Sequence, residues 1–308
     1  MADHWVHNLS PFIVEFAPNI GIRWYGMAYL AGIVWGYWLF TRWSRAKRVP
    51  VTSAEIQDFV LSAGLGMIIG GRVGYCLLYE PRQTFTDLTY LFRVWDGGMA
   101  SHGGMIGLVV GTWLYARKHR RSTLVLIDAV VATGPIGVMC GRLANFINGE
   151  LWGRATDVPW AVLFPGSVPV PHGITEAQRH AWQVAHIELA VPRHPSQLYA
   201  MVLEGFLLLL ILMPLHSRHR RPGLTAAAFC ISYAIARICG EFFREPDVGQ
   251  PLLFGWMSKG QLYSLPMLVI GVVWLVWTLR RPARPELYAP PMPPAPPTPP
   301  TPTAAPAT

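Results

Sequence analysis

Seven apolar runs, at residues 24–40, 59–79, 97–115, 124–141, 196–215, 224–240 and 261–279, divide this chain, and every second connection between them is basic. Each run matches the roughly 17 to 25 residues that a helix needs to cross the hydrocarbon of a bilayer. The connection after the first run holds Arg42, Arg45, Lys47 and Arg48, and that after the third holds Arg117, Lys118, Arg120 and Arg121. Arg218, Arg220 and Arg221 follow the fifth run, and Arg280, Arg281 and Arg284 follow the seventh. These four segments carry 14 of the 25 lysines and arginines, and the first three clusters contain no acid. Basic residues accumulate in the short cytoplasmic loops of membrane proteins. The pattern therefore predicts an all-α polytopic membrane protein of seven transmembrane helices, with its N-terminus outside and its C-terminus in the cytoplasm.

Composition agrees. Hydrophobic residues make up 52% of the chain and charged residues 14%, against about 25% charged in soluble domains. A net charge of +8 on one soluble face would suggest nucleic acid; spread through short inter-helix clusters it sets membrane orientation instead, and no nucleic-acid partner is expected. Residues 1–16 include Asp3 and Glu15 and lack a basic leader, so the first span is expected to act as the insertion signal. Cys76, Cys140, Cys230 and Cys239 all lie in or beside apolar runs, without metal-ligand spacing, and read as small hydrophobes. In the second run Gly66, Gly70 and Gly74 recur at four-residue spacing, which lets helices approach closely in lipid.

Two segments stand outside the predicted bundle. Residues 142–195 are too polar to cross lipid and form a small external cap inserted into a membrane domain of residues 1–281, with a strand predicted across the proline-bounded 159–165. Residues 282–308 hold 12 of the 28 prolines and read as a disordered, polyproline-like tail.

Ionisable groups inside spans cost at least about 2.5 kcal/mol each on insertion scales, so each requires a partner or a task. With the orientation above, Arg72, Arg142 and Arg237 fall in the outer half, as do Tyr25 at the start of span one and His102 at the start of span three. Asp128 lies toward the cytoplasm. Arg72 reads equally as a bland residue, snorkelling or structurally paired, or as a functional cation. Arg142 and Arg237 at matching depth form a clamp for an anion, since guanidinium binds phosphate with two prongs and keeps its charge when desolvated. Tyr233 lies four residues before Arg237 and shares its helix face. His102 precedes Gly103, Gly104 and Gly107, which leave the helix start open to close approach.

The stretch Gly141-Arg142-Leu143-Ala144-Asn145-Phe146-Ile147-Asn148-Gly149-Glu150-Leu151-Trp152-Gly153-Arg154 resembles the signature of bacterial prolipoprotein diacylglyceryl transferases. Phe92 to Met99, Ser101 to Gly107, His194 to Tyr199 and Glu241 to Asp247 are similar to further motifs of that family in the same order. The resemblance covers everything but the termini. It departs at Ala200, where the family commonly has glutamate, and at Arg23, where histidine is frequent.

The resemblance implies transfer of an sn-1,2-diacylglyceryl group from phosphatidylglycerol to the lipobox cysteine of a prolipoprotein signal peptide, giving a thioether and releasing glycerol phosphate. It implies an inner-membrane enzyme with a periplasmic site and no metal or organic cofactor. Arg142, Arg237, His102 and Tyr233 are then the expected catalytic residues, His102 as base for the thiol. Arg142, Arg237, Tyr25, Asn145, Asn148, Gly103, Glu150 and Gly153 are expected to bind phosphatidylglycerol, with Glu150 alternatively pairing Arg154. The competing classes are an anion transporter and a phospholipid-binding scaffold without turnover.

Overall fold

The computed structural model describes residues 4–17, 20–171, 173–246 and 252–289. Asp3, Asp247 and the proline-rich stretch from 290 onward lie outside them. Among the described residues, seven helices of 18 residues or more dominate: α1 (Trp24–Arg45), α2 (Ile56–Leu78), α3 (Ser101–Lys118), α4 (Thr123–Ile147), α5 (Ser196–Arg218), α6 (Leu224–Glu241) and α7 (Lys259–Leu279). They coincide in order with the seven apolar runs. Five of them, α2, α4, α5, α6 and α7, are long and apolar enough to cross a membrane. The other two are diluted by glycine and by aromatic and basic residues toward their ends (Trp43 and Arg45 in α1, Arg117 and Lys118 in α3).

Alongside an apolar core that includes Leu39, Phe40, Trp43 and Phe59, many apolar side chains face outward. Val273 is 64% exposed and Ile69 59%, whereas Asp128 and Glu204 are fully buried. Apolar side chains turned outward and carboxylates turned inward suit a hydrocarbon solvent, where polar groups find partners only inside the bundle.

The glycine spacing of α2 works as expected, and its partner is α3. A Cβ at Gly66 would lie 2.3 Å from the Gly107 carbonyl oxygen, and one at Gly70 2.4 Å from that of Gly103. Gly103, Gly107 and Gly111 face α2 with contacts as tight. The openness expected beside His102 is thus filled by a neighbouring helix, and Gly103 serves helix packing. Gly70→Val is expected to cost about 3 kcal/mol, because backbone on both sides cannot yield; a thermal melt of the detergent-solubilised protein unchanged by this substitution would deny the contact.

The basic connections gather at one end. Arg121 reaches Glu55 at 2.9 Å, Arg221 donates to the Leu279 carbonyl, and the His216 ring lies tilted 4.3 Å from that of Trp43. There Asp128 caps α6 in trans, accepting from Gly223 N at 2.7 Å and Ala226 N at 2.8 Å. Its place in a span is explained by the helix terminus it satisfies. Residues 282–289 depart from the expected tail: Pro285–Tyr288 form a turn of 3-10 helix, and Tyr288 is buried.

At the other end, the cap differs from expectation in two ways. The helix of α4 runs on to Ile147, so Arg142 and Asn145 belong to its last turns and share a face, and the cap begins at Asn148. Of the strand predicted at 159–165, only Val162–Leu163 (β4) forms, paired in parallel with Trp5–Val6 (β1) from the N-terminal segment. An antiparallel hairpin of β2 (Phe12–Ala17) and β3 (Ile20–Arg23) then leads into α1.

Arg72 is buried and structural. Its guanidinium donates to the carbonyls of Tyr90, Leu91, Arg93, Gly97 and Gly98, and lies 4.7 Å from the Tyr90 ring centroid. One cation thereby folds the loop between α2 and α3. The snorkelling alternative is excluded.

Candidate active site

The C-terminal ends of α4 and α6 and the N-terminal part of α5 converge on one carboxylate. Near the start of α5 the helix widens into a π turn, Met201–Phe206, a local irregularity often found at functional sites. That turn carries Glu204. Its neighbour Gly205 lets the backbone of α4 approach, since a Cβ there would lie 2.7 Å from that of Met139.

Arg142 of α4 donates to Glu204 Oε2 from Nε at 3.1 Å and from Nη2 at 2.7 Å. Arg237 of α6 donates to Glu204 Oε1 at 3.1 Å. The two arginines singled out in the sequence are therefore held by opposite oxygens of a single carboxylate. Glu204 is wholly buried, while the arginine side chains keep 20% and 17% of their surface open. A guanidinium has five N–H donors, and Arg142 spends two on Glu204. The remainder stay available to a ligand.

A second carboxylate, Glu241 at the end of α6, supports Arg237. Arg237 Nη2 meets Glu241 at 2.6 Å, and Ser258, the N-cap of α7, donates to the same carboxylate at 2.6 Å. Gly260 leaves room for it, for a Cβ there would fall 2.7 Å from Glu241 Cδ. Arg142, Glu204, Arg237, Arg244, Ser196 and Gln197 all line one cleft. Three guanidinium groups against two carboxylates leave this cleft cationic.

A separate network lies beside it. Asn145 Nδ2 donates to Glu150 at 2.7 Å and to the Tyr25 hydroxyl at 3.2 Å, and Asn148 reaches Glu150 at 3.5 Å. Glu150 thus binds two asparagines; Arg154 instead donates to the Arg244 carbonyl, which corrects the expected Glu150–Arg154 pair. Gln197, which lines the cleft, donates to the Glu150 carbonyl at 2.6 Å.

Gly153 has a packing reason. A Cβ there would meet the carbonyl oxygens of Phe243 and His194 at 2.5 and 2.6 Å, where short bridges knit residues 153–155, 193–194 and 244 into a patch beside the cleft. His194, in that patch, has its imidazole pulled below the ordinary value by burial, and its Nδ1 meets the Tyr199 hydroxyl at 3.1 Å.

Tyr233 sits within electrostatic reach of Glu204, Arg237 and Arg142, and its ring stacks on Phe229. His102 is placed differently. Its exposed ring meets Tyr263 of α7 edge-on, with centroids 6.1 Å apart, and it is not among the residues that line the cleft. Arg142, Arg237 and Tyr233 are therefore brought together, as are Tyr25, Asn145, Asn148 and Glu150, while His102 packs against Tyr263 instead.

Glu204 escaped the sequence reading, and Glu241 entered it only as the first residue of a motif, without a role. The signal for Glu204 was available: a lone carboxylate inside an apolar run demands a partner as strongly as an arginine does.

The family model of prolipoprotein diacylglyceryl transferase matches residues 11–277. A phosphatidylglycerol–prolipoprotein diacylglyceryl transferase from Legionella pneumophila (strain Corby) is 40% identical over 268 residues, covering 86% of this chain and 95% of its own. Proteins of the same name from Photorhabdus laumondii subsp. laumondii and Vibrio parahaemolyticus are 41% and 39% identical, over 86% of this chain and 91% and 89% of theirs.

Proposed function

This chain belongs to the prolipoprotein diacylglyceryl transferase family, and from that premise we propose that the cleft between Arg142 and Arg237 is its reaction centre. The chain is a diacylglyceryl transferase that moves this group from phosphatidylglycerol to prolipoprotein. The observation that carries the assignment of the centre is the buried Glu204, which fixes two guanidinium groups at one point with their free edges toward a cleft.

In the proposed reaction the lipobox cysteine gives up its thiol proton, and the thiolate attacks the sn-3 glyceryl carbon of phosphatidylglycerol. A carbon–sulfur bond forms as the carbon–oxygen bond to phosphate breaks. Glycerol phosphate leaves with the bonding pair, and a thioether remains. Preorganised cations stabilise charge most strongly where water is scarce, so Arg142 and Arg237 receive the departing phosphate. Glu204 holds them in place before substrate arrives, which removes the reorganisation that two flexible side chains would otherwise require. Tyr25, Asn145, Asn148 and Glu150 shape the neighbouring wall, and Tyr233 sits one turn from Arg237.

The thiol must be deprotonated, since free cysteine has a pKa of about 8.5 and the anion is the nucleophile. His102 remains the proposed base. The excess positive charge of the cleft offers a second way to favour thiolate. If His102 is the base, His102→Gln lowers kcat by about 10²-fold or more and removes the acid limb of the pH–rate profile. A normal rate across pH would give the thiolate to the arginines.

Seven spans, an N-terminus in the periplasm and a site in the periplasmic leaflet of the inner membrane complete the proposal. The clustering of the basic connections at the end opposite Glu204 supports that orientation. One assay tests the activity against its rivals. The purified protein is incubated with phosphatidylglycerol and a lipobox peptide bearing cysteine or serine, and the peptide mass is read. A diacylglyceryl increment on cysteine alone is expected. Tight lipid binding without increment would indicate a scaffold, and anion flux without increment a transporter.

A further inference from the structure

Gln197 is 2% exposed and lines the cleft with Arg142, Glu204 and Arg237. Its amide is oriented unambiguously, because Nε2 donates to the Glu150 carbonyl at 2.6 Å, a bond that only the nitrogen can make. The opposite atom, Oε1, is buried with no hydrogen-bond partner. Buried polar atoms are nearly always paired, so an orphan in a cleft wall marks a place where a ligand completes the pairing.

The cleft's other groups narrow the ligand chemistry. Arg142, Arg237 and Arg244 are donors only, and both oxygens of Glu204 are engaged by Arg142 and Arg237. Beyond phosphate recognition the wall offers Gln197 Oε1, a buried neutral acceptor without a partner, and it calls for a neutral donor. An ammonium headgroup is repelled by three guanidinium groups. A hydroxyl a few bonds from the phosphate meets both demands.

We propose that Gln197 Oε1 accepts a hydrogen bond from a headgroup glycerol hydroxyl, and that this contact makes Gln197 a specificity-determining residue for a hydroxylated lipid donor. The proposal rests on the cleft being the phosphatidylglycerol site. Asn148 Oδ1, another buried acceptor without a partner, belongs to a side chain whose Nδ2 reaches the Glu150 carboxylate and is the candidate for a second hydroxyl.

The test compares phosphatidylglycerol with phosphatidylethanol, the same phosphodiester with an ethyl group in place of glycerol. Both are presented in vesicles to the full-length protein with the lipobox peptide. The wild type is expected to favour phosphatidylglycerol about 10- to 100-fold in kcat/KM, the penalty for leaving a buried acceptor unpaired. In Gln197→Leu that ratio collapses toward one, chiefly through phosphatidylglycerol. Loss of the bond to Glu150 weakens both lipids alike, so the ratio isolates the hydroxyl contact. Should the variant be inactive on both, the ratio is read from vesicle-binding affinities instead. An unchanged ratio, or a rise confined to the peptide's KM, overturns the proposal. Absence of transfer by the wild type would instead overturn the activity itself.

Discussion

Arg142→Ala is expected to lower diacylglyceryl transfer by about 10²- to 10³-fold while the protein still inserts and folds. The magnitude follows from removing a preorganised donor to developing negative charge, worth roughly 3 to 4 kcal/mol in a water-poor site. The side chain is one-fifth open and its partner Glu204 keeps Arg237, so the fold loses one contact and the chemistry loses half of its phosphate grip. Arg142→Lys should recover only part of the rate, because an ammonium cannot reproduce the two-pronged geometry by which Nε and Nη2 both reach Glu204. Rates are read by peptide mass at saturating phosphatidylglycerol, with size-exclusion behaviour in detergent as the control for folding. Full activity in Arg142→Ala would remove the clamp from the mechanism.

Glu204→Gln is the second large effect, and it differs in kind. The substitution keeps the shape and removes the charge that neutralises two inward-facing cations. Breaking a buried pair by removing one partner costs about 3 to 5 kcal/mol, because the remaining charge is left uncompensated, and here two charges are affected. The expected result is a fall in melting temperature together with a rate loss of at least about 10²-fold. Phosphatidylglycerol, whose phosphate replaces the missing charge, should restore much of the melting temperature, since a ligand that binds only the folded state stabilises it. A variant that melts like the wild type without lipid would show that Glu204 does not hold the arginines. Comparing melts with and without vesicles separates this outcome from simple misfolding.

The bundle was legible because its determinants are one-dimensional. Apolar length, basic loops and glycine spacing are properties of the chain read in order, and α2 met α3 through Gly66, Gly70 and Gly74 as that spacing required. Arg142 and Arg237 were legible for the same reason: a charge inside an apolar run is conspicuous. What escaped was the relation between runs. Arg72 could not be told from a snorkelling residue until the loop around it placed five carbonyls within reach. The α4 boundary was set six residues early, because Arg142 and Asn145 are polar and the pattern alone treats polarity as an exit from the membrane. They stay helical because Glu204, Glu150 and Tyr25 satisfy them from neighbouring elements. Gly103 misled for a related reason, since an open glycine face looks the same in sequence whether a ligand or a helix fills it.

The seam between α2 and α3 has a mechanical consequence. Where peptide planes touch with no side chains between them, neither sliding nor splaying is available without breaking contact along the full length, so these two helices behave as one rigid plank. A lipid with two acyl tails that reached the cleft sideways from the bilayer would pass between some pair of helices. Such a passage would form where bulkier residues make the joint and rotamer changes can absorb the strain, and not at the plank.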